Sequence, residues 1–195
     1  MQKRSIETRT RILEAALECF ARSGYDATGV AEICDTAGVS KGAFYHHFPT
    51  KQTVFLALMH DWLLTIDTLM DASRAGAKST PQAFRQMSEM MTGVFVQASG
   101  RLPLFLEFWT QASRDPQIWQ ALVEPYQRYA DYFSTFVKEG IDEGSLKPID
   151  PDVAARAIVS LALGLLLQGL LDPQGADWGK VTQQSIQILL TGLEK

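Results

Sequence analysis

The sequence predicts an all-α protein, and three observations lead to that prediction. Apolar residues recur at three- and four-residue spacing along most of the chain, which is typical of amphipathic helices. Alternation of apolar and polar residues, the pattern of a strand, never continues beyond four residues. Glycine and proline stand between the periodic stretches, where helices begin and end. We therefore expect a set of helices joined by short turns.

Composition places the chain among ordinary soluble globular proteins. Of its 195 residues, 46% are hydrophobic and 21% are charged, and the net charge is −4. These values exclude a disordered chain, a collagen and a disulfide-rich scaffold. Residues 1–51 hold seven Lys/Arg and six Asp/Glu, a net charge of +1, whereas residues 52–195 hold eleven and sixteen, a net charge of −5. A weakly basic first part is compatible with nucleic-acid contact at that end.

The cysteines and the N-terminus indicate a reducing compartment. Cys19 and Cys34 are too few for a disulfide framework in a chain of this length. We interpret both as small core residues, with a thiol redox switch between the first two helices as the alternative. The first twenty residues are charged throughout and lack the apolar stretch of a signal peptide. A cytoplasmic protein is expected.

Three short helices are predicted in the first fifty residues. Apolar residues at helical spacing define the first, which stops before Gly24. Thr28 is predicted as the N-cap of the second and Ser40 as the N-cap of the third, because short hydroxyl side chains bond the free amides of a first turn. The predicted extents are about Glu7–Ser23, Thr28 to Ala37-Gly38, and Ser40 to His47.

Six further helices are predicted in the rest of the chain. Pro81, Pro116 and Pro151 suit first turns, and Gly100 and Gly175 suit breaks. The predicted helices are about Lys51–Met70, Pro81–Ser99, Leu102–Arg114, Pro116–Glu139, Asp152–Leu171 and Asp177–Leu193.

One stretch resembles a membrane span in composition. Ala157–Leu171 is apolar on nearly every face, but its fifteen residues fall short of the roughly 20 that a bilayer requires. We interpret it as a helix buried in a core or in an oligomer interface, with no membrane contact. Together with the following helix it predicts a homodimer formed through residues 152–193, in a four-helix interface.

The segment Thr28–Phe48 has the pattern of a helix-turn-helix. Gly38 suits a left-handed turn, Val39 can pack between the two helices, and Ser40 caps the second one. Because Phe44 and Phe48 stand four residues apart and face inward, the opposite face of that helix is free to enter a major groove. That outer face carries Lys41, Gly42, Ala43, Tyr45 and His46.

A more extended pattern surrounds this motif. The chain reads Arg11-Ile12-Leu13-x-Ala15-Ala16-x-x-x-Phe20-x-x-x-Gly24-Tyr25-x-x-Thr28, then Ala37-Gly38-Val39-Ser40-x-Gly42-x-Phe44-Tyr45-x-His47-Phe48-x-x-Lys51. Over about residues 8–55 it resembles the DNA-binding domain of the TetR family of bacterial transcriptional regulators. Departures from the family pattern are small: Gly29 replaces a usual Ser or Thr, Cys34 a usual Ala, and Phe55 a common Leu.

The resemblance implies an organisation and a function. It implies a helix-turn-helix DNA-binding domain at residues 1–50 and a helical effector-binding and dimerisation domain at residues 51–195. The implied function is a ligand-responsive regulator, a repressor that binds a palindromic operator as a dimer and leaves it when a small effector binds. In the family, residues matching Thr28, Tyr45, His47 and Lys51 hold DNA phosphates. Changes at Tyr45 or Lys51 should therefore weaken binding to all sequences alike.

The remaining DNA-binding candidates lie on the recognition helix. Base reading is assigned to Lys41, Gly42 and Ala43, with a contribution from His46, while Ser40 fixes the start of the helix. The effector is expected to be an uncharged or weakly cationic aromatic or lipophilic molecule, because the second domain is rich in aromatic and Met side chains. Core packing is the alternative reading for each lining candidate. The candidates are Trp62, Ile66, Met91, Phe95, Phe105, Phe108, Trp109, Tyr126, Tyr129 and Phe133.

Other functional classes find little support in the sequence. No phosphate-binding glycine loop, nucleophile elbow, HExxH motif or Cys/His cluster is present, so neither an enzyme nor a cofactor is predicted. His46 and His47 have no third ligand nearby in sequence, so no metal site is predicted. A helical small-molecule binding or sensor protein without DNA activity is the alternative function.

Overall fold

The computed structural model describes the backbone of residues 2–98 and 102–195, and the side chains of residues 4–90 and 106–195. Most of the described chain is α-helical, and no strand occurs in the described residues, which confirms the predicted all-α class. The helices are α1 (Gln2–Ser23), α2 (Val30–Ala37), α3 (Lys41–His47), α4 (Lys51–Ala75), α5 (Thr80–Ala98), α6 (Leu102–Ala112), α7 (Pro116–Asp142), α8 (Pro151–Leu171) and α9 (Trp178–Leu193).

Helix α4 continues beyond its predicted end at Met70, because polar side chains extend it by bonding locally and to another helix. The Ser73 hydroxyl donates to the carbonyl oxygen of Leu69 at 2.8 Å. The Arg74 guanidinium donates to both carboxylate oxygens of Glu139 on α7, at 2.6 and 2.5 Å. Hydrophobic periodicity detects only the apolar part of a helix, so the predicted end of α4 came too early in the sequence.

The chain folds into two compact units. The first contains α1–α3, α4 as far as Leu64, α6, and α7 as far as Ala121; the second contains the remainder of α4 and α7 together with α5, α8 and α9. Two helices therefore continue from one unit into the other. The functional boundary predicted between residues 50 and 51 stays a prediction, whereas packing joins α6 and much of α4 to the N-terminal helices.

The core of the first unit is aromatic. The Phe55 ring of α4 lies 5.6 Å from the Phe20 ring and 4.5 Å from the Tyr25 ring, measured between centroids. The Phe55 ring also stacks on Phe108 of α6, with 3.9 Å between centroids and an interplanar angle of 25°. Phe20, Phe55 and Phe108 are all buried. These contacts fix the start of α4 and the end of α6 against α1.

The core of the second unit is built between α5, α7, α8 and α9. Phe84 of α5 packs 4.9 Å from Phe136 of α7, and Leu190 of α9 lies in the same cluster. A close approach explains Gly140 near the end of α7: a Cβ there would lie 2.6 Å from Leu146 Cδ1. Only glycine allows the chain to fold back so closely at this position.

Helix α8 has one buried face and one exposed apolar face. Asp150 caps its start by accepting from the N–H groups of Asp152 and Val153. The helix has 21 residues and is therefore longer than the fifteen-residue stretch Ala157–Leu171 that was compared with a membrane span. By length and composition alone, both α8 and α4 could cross a membrane. Of the most apolar stretch of α8, 39% of the residues are buried within the chain. Its exposed large apolar residues are Val153, Leu167 and Leu171.

Candidate nucleic-acid interface

The turn between α2 and α3 has the geometry that the sequence predicted. Gly38 has φ +62° and ψ +43°, in the left-handed region that glycine adopts without a steric penalty. Its N–H donates to the carbonyl oxygen of Asp35 at 3.2 Å, and the N–H of Val39 donates to that of Cys34 at 3.0 Å. The last turn of α2 is thereby closed, and the chain turns at once into α3.

Ser40 begins the third helix as predicted. Its backbone is extended, and its hydroxyl oxygen accepts from the N–H of Ala43 at 3.1 Å. An N-cap of this kind contributes about 1 kcal/mol to helix stability, which matters for a helix of only seven residues. The cap fixes where α3 starts and therefore which side chains face outward.

Helix α3 presents a narrow polar face and buries the opposite one. Phe44 is fully buried and Phe48 nearly so, as the sequence predicted. Tyr45 is 52% exposed. Ala43 and His47 are partly buried, and the remaining predicted contact residues are exposed, namely Lys41, Gly42 and His46. The predicted outer face is therefore brought together on one side of a short, capped helix.

Gly42 has no packing reason to be glycine. A Cβ at this position would make only an ordinary contact, 3.8 Å from the Ser40 hydroxyl oxygen. Glycine inside a helix costs about 1 kcal/mol relative to alanine. Packing within the chain therefore does not explain the glycine at this position.

Thr28 is placed differently from the prediction. The N-cap of α2 is Gly29, which makes no side-chain cap, so the predicted cap at Thr28 is wrong. The Thr28 side chain is buried, and its hydroxyl donates to the carbonyl oxygen of Gly24 at 2.7 Å. The carbonyl oxygen of Cys19 is a second possible acceptor, at 3.2 Å. Its one proton bonds the end of α1, so the hydroxyl is not available to a phosphate in this conformation.

Two basic side chains bond backbone carbonyls of the turns around α2. The Lys51 ammonium donates to the carbonyl oxygens of Tyr25 and Thr28, at 2.6 and 2.8 Å. The Arg11 guanidinium donates to the carbonyl oxygens of Ala37 and Gly38, the latter at 2.8 Å. Arg11 was not among the predicted site residues, although it stands in the pattern Arg11-Ile12-Leu13. Its partners lie 26 and 27 residues away, beyond the range of any local pattern.

Other polar groups of the first unit have partners within it. Arg9 lies 5.4 Å above the Phe48 ring centroid and 3.8 Å from the carboxylate of Asp61. The His46 and His47 rings lie 5.1 Å apart in an edge-on arrangement. No group of three potential metal-ligating side chains occurs among the described residues.

The effector-lining candidates are divided between the two units. In the first unit Phe108 is 3% exposed and covered by Phe55, so it belongs to the core and does not face an open cavity. Trp109 is half-exposed and Trp62 is partly buried. The side chains of Met91, Phe95 and Phe105 lie outside the described residues.

One of the candidates in the second unit, Tyr129, bonds a carboxylate that the sequence did not single out. Tyr129 donates to Asp67 Oδ1 at 2.8 Å, and Arg128 lies 3.0 Å from Asp67 Oδ2. Burial, assisted by the bond to Asp67, raises the pKa of the Tyr129 phenol, which therefore stays protonated. Tyr126 is partly exposed, and Ile66 is partly buried. Phe133 stacks against Phe84, 6.0 Å between centroids.

Two family models match most of the chain. Residues 12–58 match the model for bacterial regulatory proteins of the tetR family. Residues 82–194 match the model for the C-terminal domain of BetI-type transcriptional repressors. The first match covers the region of the helix-turn-helix, and the second covers α5–α9.

Curated and solved proteins agree with these matches. The transcriptional regulator UidR of Escherichia coli strain K12 is 27% identical over 177 residues, which cover 85% of this chain and 83% of UidR. A transcriptional regulator from Saccharomonospora viridis, solved in complex with choline, superposes with a TM-score of 0.83 at 21% identity, over 97% of this chain and 98% of that one. SmeT, the repressor of a Stenotrophomonas maltophilia multidrug efflux pump, superposes in its triclosan complex with a TM-score of 0.82 at 21% identity, over 96% and 92% of the two chains.

Proposed function

The chain belongs to the TetR family of bacterial regulatory proteins and is a ligand-responsive, DNA-binding transcriptional regulator; we propose that it acts as a homodimeric repressor in the cytoplasm. The proposed dimer binds a palindromic operator and leaves it when a small apolar or aromatic effector binds. The observation that carries the proposal is helix α3, capped by Ser40 and anchored by Phe44 and Phe48, which presents its polar face outward. No catalytic activity is part of the proposal.

The proposed DNA contacts follow from side-chain placement on α3. Lys41, Gly42 and Ala43 lie in its first turn, where a recognition helix meets base edges, with His46 one turn further on. Tyr45 and His47 are proposed phosphate ligands, through a phenolic O–H and a ring N–H. Thr28 is proposed to act through the amides that follow it in the first turn of α2, since its hydroxyl is bonded internally.

The proposed dimer interface is the exposed face of α8 and α9. Leu171 of α8 and Ile188 of α9 are 72% and 75% exposed, which is unusual for large apolar side chains. A Cβ at Gly164 would meet nothing within 4 Å, so this face is open in the single chain. Small residues there allow a partner helix to approach closely, and a two-fold axis would bring four helices together. The face of α8 comprises Val153, Ala157, Ser160, Gly164, Leu167 and Leu171.

The proposed effector is small and mainly apolar. Similar regulators were solved with choline and with triclosan, a small cation and a small aromatic molecule. Trp62 and Trp109 remain candidates within the first unit, and Ile66, Tyr126, Tyr129 and Phe133 remain candidates within the second. Asp67 joins them, because it is the carboxylate that Tyr129 and Arg128 hold in place.

A selection experiment tests the function. The purified protein is incubated with a random-sequence duplex pool, and the retained fragments are sequenced. We expect enrichment of a two-fold symmetric sequence whose half-sites lie about one helical turn, roughly 34–36 Å, or a multiple of it apart. A sensor without DNA activity enriches nothing, and that outcome supports the alternative function. A thermal-shift screen of small aromatic and cationic compounds then identifies effectors, which should release the enriched duplex.

A further inference from the structure

The Lys51 ammonium is committed to the backbone of the turn between α1 and α2. Its three N–H groups face the carbonyl oxygens of Tyr25, Thr28 and Asp26, at 2.6, 2.8 and 3.5 Å. The ammonium also lies 4.2 Å from the centroid of the Tyr25 ring. An ammonium has three donors and no acceptor, so two of its donors make short hydrogen bonds and the third makes one long contact.

The surroundings of Lys51 resist a rearrangement. The Tyr25 ring beneath the ammonium is held against Phe55, 4.5 Å between centroids. Burial lowers the pKa of Lys51, while the nearby carboxylates of Asp26 and Glu107 oppose that shift. Moving the ammonium outward to a phosphate would leave the carbonyl groups of Tyr25 and Thr28 without their donor, at a cost of roughly 1–3 kcal/mol for each that stays buried.

Arg11 makes the corresponding contact at the other end of α2. Its guanidinium reaches from α1 to the carbonyl oxygens of Ala37 and Gly38, where the negative end of the helix dipole lies. A Cβ on Gly38 would lie 3.0 Å from the same guanidinium nitrogen, so the turn and the guanidinium are closely fitted. Helix α2 is therefore held by a cation at the turn before it and by another at the turn after it.

We propose that Lys51 and Arg11 are positioning residues, which fix the two turns around α2 and thereby the orientation of α3, and that Lys51 does not pair with a DNA phosphate. The inference rests on the proposed DNA-binding function and changes the role that family resemblance implied for Lys51. A positioning residue matters most where α3 must fit base edges. Its loss should therefore reduce the preference for operator over other DNA, which loss of a phosphate contact does not do.

The salt dependence of binding separates the two roles of Lys51. Each phosphate neutralised by a cation adds about 0.9 to the slope of log affinity against log salt. We propose anisotropy titrations at several KCl concentrations with two duplexes: the operator selected by the wild-type protein and a scrambled duplex of equal length and composition. For Lys51→Met we expect a roughly tenfold loss of operator affinity, close to one charged hydrogen bond, with an unchanged slope and little loss on the scrambled duplex.

A second substitution keeps the charge. Arginine is an excellent phosphate ligand, but its planar fork does not reproduce the compact contacts of an ammonium with three carbonyls. Lys51→Arg should therefore lose operator preference as Lys51→Met does. Arg11→Lys, which keeps the charge at the second turn but loses the forked contact, should show a smaller loss of the same kind. Circular dichroism at the titration temperature verifies that each variant is folded.

Substitutions at two other lysines serve as controls for the salt slope and the duplex affinities. Lys41→Met removes an exposed charge from α3 and should lower the slope, whereas Lys78→Met removes one from the exposed turn between α4 and α5 and should leave both affinities unchanged. A slope lowered by about one in Lys51→Met, with equal loss on both duplexes, overturns the inference. So does normal operator preference in Lys51→Arg. If the wild-type protein selects no sequence at all, the proposed function itself fails, which is a separate and recognisable result.

Discussion

Both units of the molecule contain ion pairs between side chains, but in the first unit two basic side chains also hold the turns around a helix. In the first unit, Lys51 and Arg11 bond backbone carbonyls, so they determine the geometry of turns. In the second unit, three guanidinium groups pair with carboxylates distant in sequence: Arg74 with Glu139, Arg85 with Glu194 and Arg128 with Asp67. Lys147, which bonds the carbonyl oxygen of Gly192, is an exception. The first unit has ion pairs as well, among them Arg22 with Glu32, so what distinguishes it is the pair of cations that bond the turns on either side of α2.

This difference matches the tasks of the two units. A recognition helix must meet base edges within hydrogen-bonding distance, so the turns that orient it have to be fixed. Ion pairs between exposed side chains contribute only about 0–1 kcal/mol and tolerate replacement. The exposed ion pairs of the second unit therefore contribute little to its stability, and its apolar core keeps the helices in place.

The largest effect is expected from loss of the proposed dimer, whose interface lies in the second unit. Leu167→Glu places a charge on the exposed apolar face of α8, and burying an unpaired charge in an interface is strongly unfavourable. We expect a monomer by sedimentation velocity at micromolar concentration. Operator affinity should fall by roughly two orders of magnitude, since the second half-site no longer assists the first.

The control for this change adds the same charge nearby. Gln174→Glu places a carboxylate in the exposed turn after α8, away from the apolar face, and should remain dimeric. A Leu167→Glu protein that stays dimeric would show that α8 is not the interface. In that case the exposed apolar face needs another partner.

The next largest effect tests base reading by the first unit. Gly42→Leu fits within the chain, because the position meets only the Ser40 hydroxyl, but it would obstruct close approach to a base edge. We expect the operator-to-scrambled affinity ratio to fall by about 10- to 100-fold, the value of one good base contact. A new selection from the random pool should return a different half-site.

Tyr45→Phe is the matched change on the same helix. It removes only the exposed phenolic O–H, the proposed phosphate donor, and keeps the ring beside Phe44. Both duplexes should lose affinity by the same factor, a few-fold at most, which corresponds to about 1 kcal/mol or less. Equal losses in Gly42→Leu as well would mean that position 42 does not read bases.

A smaller effect concerns communication between the units. Helix α4 passes from one to the other at Leu64 and Thr65, both exposed. Replacing this pair with glycine should loosen the helix at the crossing, at about 1 kcal/mol per glycine, without opening a cavity. A pair at Leu58-Met59 is less suitable because Met59 is buried. An effector that favours one tilt of α4 should shift the spacing of the recognition helices in the dimer. The variant with the loosened helix should still bind DNA and effector, but the binding of one should no longer weaken the binding of the other.

The coupling is measured as a ratio of affinities. In the wild-type protein, operator DNA should weaken effector binding by the same factor as effector weakens DNA binding, typically about 5- to 150-fold. In the Leu64-Thr65 glycine variant this factor should approach one. Glycines at the adjacent exposed residues Asp71 and Ala72, which lie on α4 within the second unit, are the matched control and should preserve it. Preserved coupling in the Leu64-Thr65 variant would assign transmission to another route, of which α7 is the second continuous helix.

Local patterns predicted what local chemistry determines. Ser40, Gly38 and the buried pair Phe44 and Phe48 were predicted correctly, because a cap, a left-handed turn and an i, i+4 pair each involve neighbours in sequence. Thr28 was assigned a cap incorrectly because its hydroxyl had two local choices. It bonds backward to Gly24 instead of forward into α2.

Contacts between distant residues were not predictable from one sequence. Lys51 and Thr28 are 23 residues apart, and Tyr129 and Asp67 are 62 apart. Phe108 was assigned to the effector site because aromatic residues cluster around it, yet it stacks on Phe55 of another helix. Composition identified the aromatic residues, but only folding determines whether each one faces a core or a ligand.

The smallest predicted effect is a pH-dependent change in stability at a contact between α7 and α5 in the second unit. Glu143, just after α7, accepts from the Ser145 hydroxyl at 2.5 Å and from the N–H of Thr80, the first residue of α5, at 2.7 Å. These bonds favour the carboxylate and lower its pKa below the ordinary 4.5. Its contribution is therefore complete above that value and is lost as the pH falls through the lowered pKa.

Glu143→Gln should reduce the free energy of unfolding at pH 7 by about 0.5–1 kcal/mol, the lower range for a helix cap, because the side chain is exposed. The difference from the wild-type protein should shrink towards pH 3, where the wild-type carboxylate is itself becoming protonated. Urea unfolding at both pH values measures it. Glu89→Gln, which removes the same charge from an exposed position on α5, is the control. A difference that stays constant between pH 7 and pH 3 would mean that the shape of the side chain, and not its charge, holds the start of α5 to the end of α7.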